Sequence, residues 1–250
     1  MTAAGLKRTL LIVGDSLAMP RGDIAYRDTW PSLLRASCPD LEVIPLSRRG
    51  MTTDLIVTEG ADSDGFPPGS DFLEFYRPDF SVIQLGIVDC YPRHFRNRGL
   101  EQRLVSLLPV MIRNRYIALI KKTRGSKTKF AYVPRARFRG NIESYVERAL
   151  TNGVMAVVLI AITLVSKRKS EESKDVENII QAYNAELRTI AEARPKVHYL
   201  DPFEGRKGEE WLHPDGYHLS TLGQSLVHAS VLDLLTNFRE SNSTSRTAGL

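Results

Sequence analysis

Thr9-Leu10-Leu11-Ile12-Val13-Gly14-Asp15-Ser16-Leu17 is a short apolar run that ends in a turn-forming glycine and two polar side chains. A nearly continuous apolar run of this length is typical of a strand buried on both faces of a parallel sheet. Four further runs of the same kind follow at intervals too long for hairpins: Leu41–Ser47, Phe80–Gly86, Val154–Thr163 and Val197–Asp201. The sequence therefore predicts five strands, the first being Thr9–Gly14.

Stretches with helical character separate and follow these strands: Trp30–Ala36, Leu100–Lys122, Asn141–Leu150, Val176–Ala193 and Thr221–Phe238. In the last two, apolar side chains recur every three or four residues, as on one face of an amphipathic helix. Strands that alternate with helices indicate βαβ crossovers and an open, doubly wound, mainly parallel five-stranded α/β sheet. We expect one domain over residues 1–240 and a flexible polar tail over residues 241–250.

The composition is that of a globular protein, because 42% of the 250 residues are hydrophobic and 25% are charged. These proportions exclude a disordered or fibrous chain. Cys38 and Cys90 form no disulfide framework, which favours reduced thiols and a cytoplasmic location. The longest apolar stretch, Val154–Val165, is well short of the roughly 20 residues that cross a bilayer, so no membrane span is expected.

The formal net charge of +5 is unevenly distributed, because ten lysines and arginines and no acidic residue lie between Val110 and Gly140. Such a segment can attract nucleic acid, a membrane surface or an anionic polymer. Aromatic residues are sparse there, and no nucleic-acid-binding motif accompanies them. We therefore favour a solvated basic surface and expect no nucleic-acid partner.

Polar side chains at the two ends of the chain have the chemistry of a nucleophile and its base. Ser16 follows the first strand, where a side chain projects into the crevice beyond the carboxyl ends of a parallel sheet. Asp215 precedes His218 by three residues, so its carboxylate can fix the imidazole tautomer, as in a serine triad. Alternatively, Ser16 and Asp215 cap helices. A metal site with His213 lacks further ligands at a recognisable spacing, so neither a metal nor a cofactor is expected.

Taken together, these segments resemble the SGNH hydrolases, also called GDSL esterases or lipases. Gly14-Asp15-Ser16-Leu17 is similar to the family's first block, Arg49-Gly50-Met51-Thr52-Thr53 to its second, and Asp215-Gly216-Tyr217-His218-Leu219-Ser220 to its last. The resemblance covers most of the chain. It implies a three-layer α/β/α sandwich with flavodoxin-like strand order, and Ser16, His218 and Asp215 as nucleophile, base and acid. It also implies that the Gly50 amide lies in the oxyanion hole.

The third block departs from the family pattern Gly-x-Asn-Asp, because it is Gly86-Ile87-Val88-Asp89. An isopropyl group cannot replace the amide donor of the family's asparagine. Three alternatives follow: another donor replaces the asparagine, the backbone amides of Ser16 and Gly50 suffice, or the site is catalytically weak and acts mainly in ligand binding. We favour a substitute donor among the flanking residues Arg48, Arg49, Tyr91, Arg93 and His94. The candidate oxyanion and substrate-binding set is Gly50, Asp15, Asp89, Arg49 and Arg93, with Asp89 expected to cap the loop backbone.

The resemblance implies a serine esterase that acts through an acyl-Ser16 intermediate. We expect a small-molecule or glycan ester, with an acetyl group on a carbohydrate or polysaccharide precursor as the specific hypothesis. Arg48, Arg49 and Arg93 favour an anionic or sugar-acid substrate. An acyltransferase with the same triad and a non-catalytic binding module remain alternatives. Cys90 is expected to be a buried, inert thiol.

Overall fold

The computed structural model describes residues 7–57, 69–95, 99–124, 130–173, 175–206 and 208–247. Its sheet consists of five strands: β1 (Arg8–Gly14), β2 (Leu41–Ser47), β3 (Phe80–Gln84), β4 (Ala156–Ile160) and β5 (Val197–Leu200). All neighbouring strands are parallel, in the order β2-β1-β3-β4-β5. This is the flavodoxin-like order of a doubly wound sheet, so the predicted fold class is confirmed.

Eight α-helices are present in the described part of the chain: α1 (Trp30–Ser37), α2 (Ile87–Cys90), α3 (Leu100–Leu107), α4 (Val110–Arg124), α5 (Arg135–Thr151), α6 (Lys167–Glu172), α7 (Val176–Glu192) and α8 (Thr221–Thr247). Helix α1 packs on α8, and α5 packs on α7, which gives the two helical layers of an α/β/α sandwich. None of the described helices is long and apolar enough to cross a membrane.

Three helices differ from the sequence prediction. The helix expected over Leu100–Lys122 is two helices separated by Leu108 and Pro109, because proline has no amide hydrogen and disrupts a helix interior. Helix α5 begins at Arg135, directly after Pro134, and not at Asn141. Helix α8 extends past Phe238 to Thr247 and so includes most of the predicted tail; the flexibility of that tail stays a prediction.

The register of the sheet brings the ends of the central strands to one edge. Gly14, the last residue of β1, pairs with Ser47 of β2 on one side and with Gln84 of β3 on the other. The first three sequence blocks begin at this edge. Since β1 and β3 are central strands with buried side chains, the loops after them rest on the hydrophobic core.

Candidate active site

Ser16 lies directly beyond the carboxyl end of β1, in a short 3-10 turn over Ser16–Ala18. The Asp15 amide donates to the Gln84 carbonyl at 3.2 Å, and the Asp15 carboxylate accepts from the Leu17 amide at 2.8 Å. On the other side of the turn, Gln224 of α8 donates to the Leu17 carbonyl at 3.0 Å. The side chain of Ser16 is thus presented from a backbone that is held on both sides.

The structure brings Ser16, His218 and Asp215 into one hydrogen-bonded row. Ser16 Oγ lies 3.0 Å from His218 Nε2, and His218 Nδ1 lies 2.9 Å from Asp215 Oδ2. Because an ionised carboxylate only accepts hydrogen bonds, the neutral imidazole carries its hydrogen on Nδ1 and leaves Nε2 free to accept the serine proton. Burial lowers the pKa of His218, so the imidazole is neutral at pH 7.

Asp215 is held as a charged carboxylate. Partial burial by itself raises its pKa, but hydrogen bonds from the amides of His218 and Tyr217, together with the neighbouring side chains of His218 and Arg21, bring the pKa well below its usual range. Arg21 Nε donates to Asp215 Oδ2 at 2.7 Å. Sequence reasoning did not single out Arg21, and its only signal was a charged residue in the loop that follows Ser16.

The loop from His213 to His218 depends on a backbone turn at Gly216. Gly216 has φ +89°, and a Cβ there would collide with the Ser166 side chain, so only glycine is accommodated. The Ser166 amide donates to the Gly216 carbonyl at 2.9 Å, which fixes the loop on α6. His213 Nδ1 lies 3.3 Å from the Asp215 amide. Among the described residues, no group of three or more His, Cys, Asp or Glu side chains has the arrangement of a metal site.

A cavity of about 240 Å³ opens over Ser16 and His218. It is lined by residues from all four blocks and from the loops beside them: Ser16, Leu17, Arg21, Arg49, Gly50, Ile87, Val88, Tyr91, Arg93, Tyr217 and His218. Gly50 has φ +69° and carries no side chain into this space. Within the described part of the chain, the amides of Ser16 and Gly50 donate to no other backbone group, so both are available to an anion.

Val88 occupies the cavity wall at the position of the family's asparagine. It lies in α2, is almost fully buried and offers no donor. Arg93 lines the same cavity, and its guanidinium lies over the rings of Tyr132 at 4.7 Å and Tyr91 at 5.8 Å. Its Nε is buried and has no hydrogen-bond partner among the described residues. Arg93 is therefore a cationic side chain that lines the same cavity as Val88.

Two predicted contact residues lie beneath the cavity and do not line it. Asp15 and Asp89 are fully buried, so the expected grouping with substrate-binding residues is corrected for both. Asp89 Oδ1 accepts from the Thr53 amide at 2.9 Å and from its hydroxyl at 2.5 Å, which anchors the loop that carries Gly50. Burial raises the pKa of Asp15 to about 7 and that of Asp89 to about 6.

The remaining two candidates differ in their access to the cavity. Arg49 has an exposed side chain and lines the cavity, as expected of a substrate-binding residue. Cys90, two residues after Val88, is fully buried, and burial raises the pKa of its thiol far above the usual range. Because the thiolate is the reactive form, Cys90 is not a second nucleophile in this state.

Comparison with known proteins agrees with this geometry. The model of the GDSL-like Lipase/Acylhydrolase family matches residues 12–226, which include all four blocks. No curated protein matches the chain by sequence.

Several solved structures share the fold. TesA has 20% sequence identity over 91% of this chain and 98% of that chain, with a TM-score of 0.58. EstA from Pseudoalteromonas sp., an esterase described as inhibited by monoethylphosphonate, has 17% identity over 93% and 99% of the two chains, with a TM-score of 0.56. A catalytic mutant of Axe2, an acetylxylan esterase from Geobacillus stearothermophilus, has 13% identity over 90% and 93%, with a TM-score of 0.59.

At these identities the likeness to solved structures establishes the shared fold, and the family match establishes the kind of protein. The resemblance found in the sequence blocks is thereby confirmed: the chain belongs to the GDSL-like lipase/acylhydrolase family and is an SGNH-type serine ester hydrolase.

Proposed function

We propose that this chain hydrolyses a small acyl ester through an acyl-Ser16 intermediate. The observation that carries the proposal is the row of hydrogen bonds from Ser16 to His218 to Asp215 at the floor of the cavity. Ser16 Oγ attacks the ester carbonyl carbon while His218 Nε2 takes its proton. The tetrahedral intermediate then expels the alcohol, to which His218 returns the proton. A water molecule, activated by the same imidazole, attacks the acyl-serine and releases the acid.

Three donors support the negative charge that develops on the carbonyl oxygen. Two of them are the backbone amides of Ser16 and Gly50, which the family resemblance implies as donors, and both residues line the cavity. We assign the third place to Arg93, because it is a cationic side chain on the cavity wall that also holds Val88. Arg21 is a positioning residue, since it binds Asp215 and acts on the reaction through the orientation and charge of the triad.

The cavity favours a small acyl group on a polar, anionic alcohol. Its volume of about 240 Å³ is below the roughly 300–1,000 Å³ of pockets that enclose drug-sized ligands, which favours a short acyl group. Arg49 and Arg93 line the cavity, and neither is involved in an ion pair within the described residues. An acetyl ester of a sugar acid or of a polysaccharide precursor meets both requirements. The similarity to the fold of an acetylxylan esterase supports this substrate class.

A cytoplasmic location is part of this proposal, since the two cysteines of the sequence give no disulfide framework.

Replacing Ser16 with alanine tests the mechanism. With p-nitrophenyl acetate as substrate, Ser16→Ala should lower kcat by at least about 10⁴-fold, as for other serine nucleophiles. The matched control is Ser225→Ala, an exposed helical serine of α8. A fluorophosphonate should label the wild-type chain at Ser16 and leave Ser16→Ala unlabelled. Equal hydrolysis by wild type and Ser16→Ala would remove the serine mechanism, and product analysis with added alcohols separates hydrolysis from acyl transfer.

A further inference from the structure

The connection between α3 and α4 exposes a group of large apolar side chains. Over residues 104–112, here named the apolar tip, five side chains are between 54% and 80% exposed: Leu104, Leu107, Val110, Met111 and Ile112. Single exposed apolar residues are ordinary on a protein surface, but five within nine residues are typical of a surface that another body covers.

The tip belongs to an insertion that stands outside the hydrophobic core. Helices α3 and α4 contact each other, and the Tyr116 hydroxyl donates to Glu101 Oε1 at 2.9 Å to join them. Their buried apolar residues, Val105 and Ile120, are not members of the continuous core cluster. The apolar tip therefore contributes nothing to the packing of the sheet, and its apolar character needs another explanation.

Positive charge surrounds the tip. Arg103, Arg113 and Arg115 flank it in the described structure, and the sequence continues with Lys121, Lys122 and Arg124. The one acidic residue in the sequence of residues 100–124 is Glu101, which is already bonded to Tyr116. A helical segment that combines exposed apolar side chains with basic ones has the chemistry of a bilayer surface ligand: the apolar groups enter the headgroup boundary and the cations meet anionic headgroups.

We propose that the apolar tip docks this chain on the surface of an anionic lipid bilayer. A symmetric second copy on the same face is disfavoured, because it would bring two basic surfaces together. Nucleic acid would satisfy the arginines but leave the five apolar side chains in water. An anionic bilayer satisfies both kinds of side chain at once.

The segment that carries the tip begins and ends beside the cavity wall. The insertion is closed at its base by two backbone hydrogen bonds between Arg93 and Phe130, at 3.0 and 2.7 Å, and Arg93 lines the cavity. The element that meets the bilayer is thus joined to the wall of the site. The docking itself does not depend on the proposed esterase function.

Vesicle co-sedimentation with the purified full-length chain tests the proposal. Phosphatidylcholine vesicles with added phosphatidylglycerol should carry the protein down, pure phosphatidylcholine vesicles should not, and added salt should reverse the binding. Leu107→Ser and Met111→Ser should each weaken binding about tenfold, because each removes one apolar side chain from the boundary. Arg115→Glu should weaken it by a similar factor, about tenfold for a change of two charges.

Matched controls are Leu222→Ser, an exposed leucine of α8, and Arg27→Glu, an exposed arginine far from the tip in sequence; both should bind as the wild type does. Failure to sediment with either kind of vesicle, or equal binding to both, overturns the proposal. So does a wild-type dimer that Leu107→Ser converts to a monomer without any vesicle binding. Hydrolysis of soluble p-nitrophenyl acetate should be unchanged in the tip variants, and Ser16→Ala should still bind vesicles, so the two proposals fail separately.

Discussion

Replacing Arg93 with methionine should slow turnover far more than it weakens substrate binding. Arg93 is a cationic side chain on the cavity wall, and Val88 leaves the same wall without the usual amide donor. Methionine retains most of the volume of the side chain and removes every donor. In Arg93→Met the oxyanion would therefore rely on the amides of Ser16 and Gly50 alone.

The expected loss follows from the removal of one oxyanion donor out of three. One such donor is worth about 10²–10³ in kcat, or about 2.7–4 kcal/mol. KM should change little, because the negative charge exists in the transition state and not in the bound ester. Val88→Asn should then restore much of the lost rate in the Arg93→Met background and add little to the wild type. If Val88→Asn raises kcat in the Arg93→Met background but not in the wild type, positions 88 and 93 supply the same oxyanion donor; equal effects in both backgrounds would indicate independent roles.

The assay is p-nitrophenyl acetate hydrolysis, with kcat and KM measured separately for the wild type, both single variants and the double variant. Arg27→Met is the matched control, since Arg27 is an exposed arginine that does not line the cavity. Loss of the ring contacts with Tyr132 and Tyr91 should cost about 1 kcal/mol of stability, which thermal unfolding measures independently. Wild-type turnover in Arg93→Met, combined with faster turnover in Val88→Asn alone, would show that the donor position is simply unfilled.

Two further predictions concern pH. Burial and the charge of Arg21 lower the pKa of His218, so kcat/KM should fall only below about pH 6.5, and Arg21→Gln should move this acidic limb to higher pH; a limb that stays in place would contradict the assigned role. Burial raises the pKa of Asp15 to about 7, so the folded state retains a proton that the unfolded state loses above its pKa near 3.8. The free energy of unfolding should therefore decrease as pH rises from about 4 to about 7. Asp15→Asn should remove the part of that decrease that comes from Asp15 and leave the smaller part that comes from Asp89, whose pKa burial raises to about 6. The variant should gain up to about 4 kcal/mol over the wild type at pH 8, as measured by urea unfolding. Identical pH profiles for the two proteins would exclude this role of Asp15.

The fold could be predicted because the strands are buried on both faces. Continuous apolar runs such as Leu10–Val13 leave few alternatives to a central parallel strand, and all five predicted strands are present. The ends of the helices were harder to predict from the sequence. Proline acts oppositely at two places: Pro109 separates α3 from α4, whereas Pro134 directly precedes α5 and permits its earlier start.

The site was predictable where the chemistry is local to a block. Ser16, Gly50 and the pair Asp215–His218 are each recognisable from their neighbours in sequence, and the sheet then brings them together. Arg21 could not be found in this way, because its contact with Asp215 joins residues 194 positions apart. The apolar tip was hidden for a similar reason: its apolar residues look like those of a buried helix until the fold shows that no described part of the chain covers them.

Two buried carboxylates connect the fold to the chemistry. Asp15 fixes the turn that carries Ser16, and Asp89 fixes the loop that carries Gly50, so each positions one of the two amides proposed for the oxyanion hole. Each has a second oxygen without a partner in the described structure, and the charge of Asp89 contributes to the raised pKa of Asp15. A buried acceptor oxygen without a hydrogen-bond donor lowers the stability of the fold. Two carboxylates with a purely structural role would not require this cost. We interpret the two buried carboxylates as holding the Ser16 and Gly50 amides rigidly at some cost in stability. Rigid amides matter in this chain because Val88 lacks the side-chain donor that would otherwise help to bind the oxyanion.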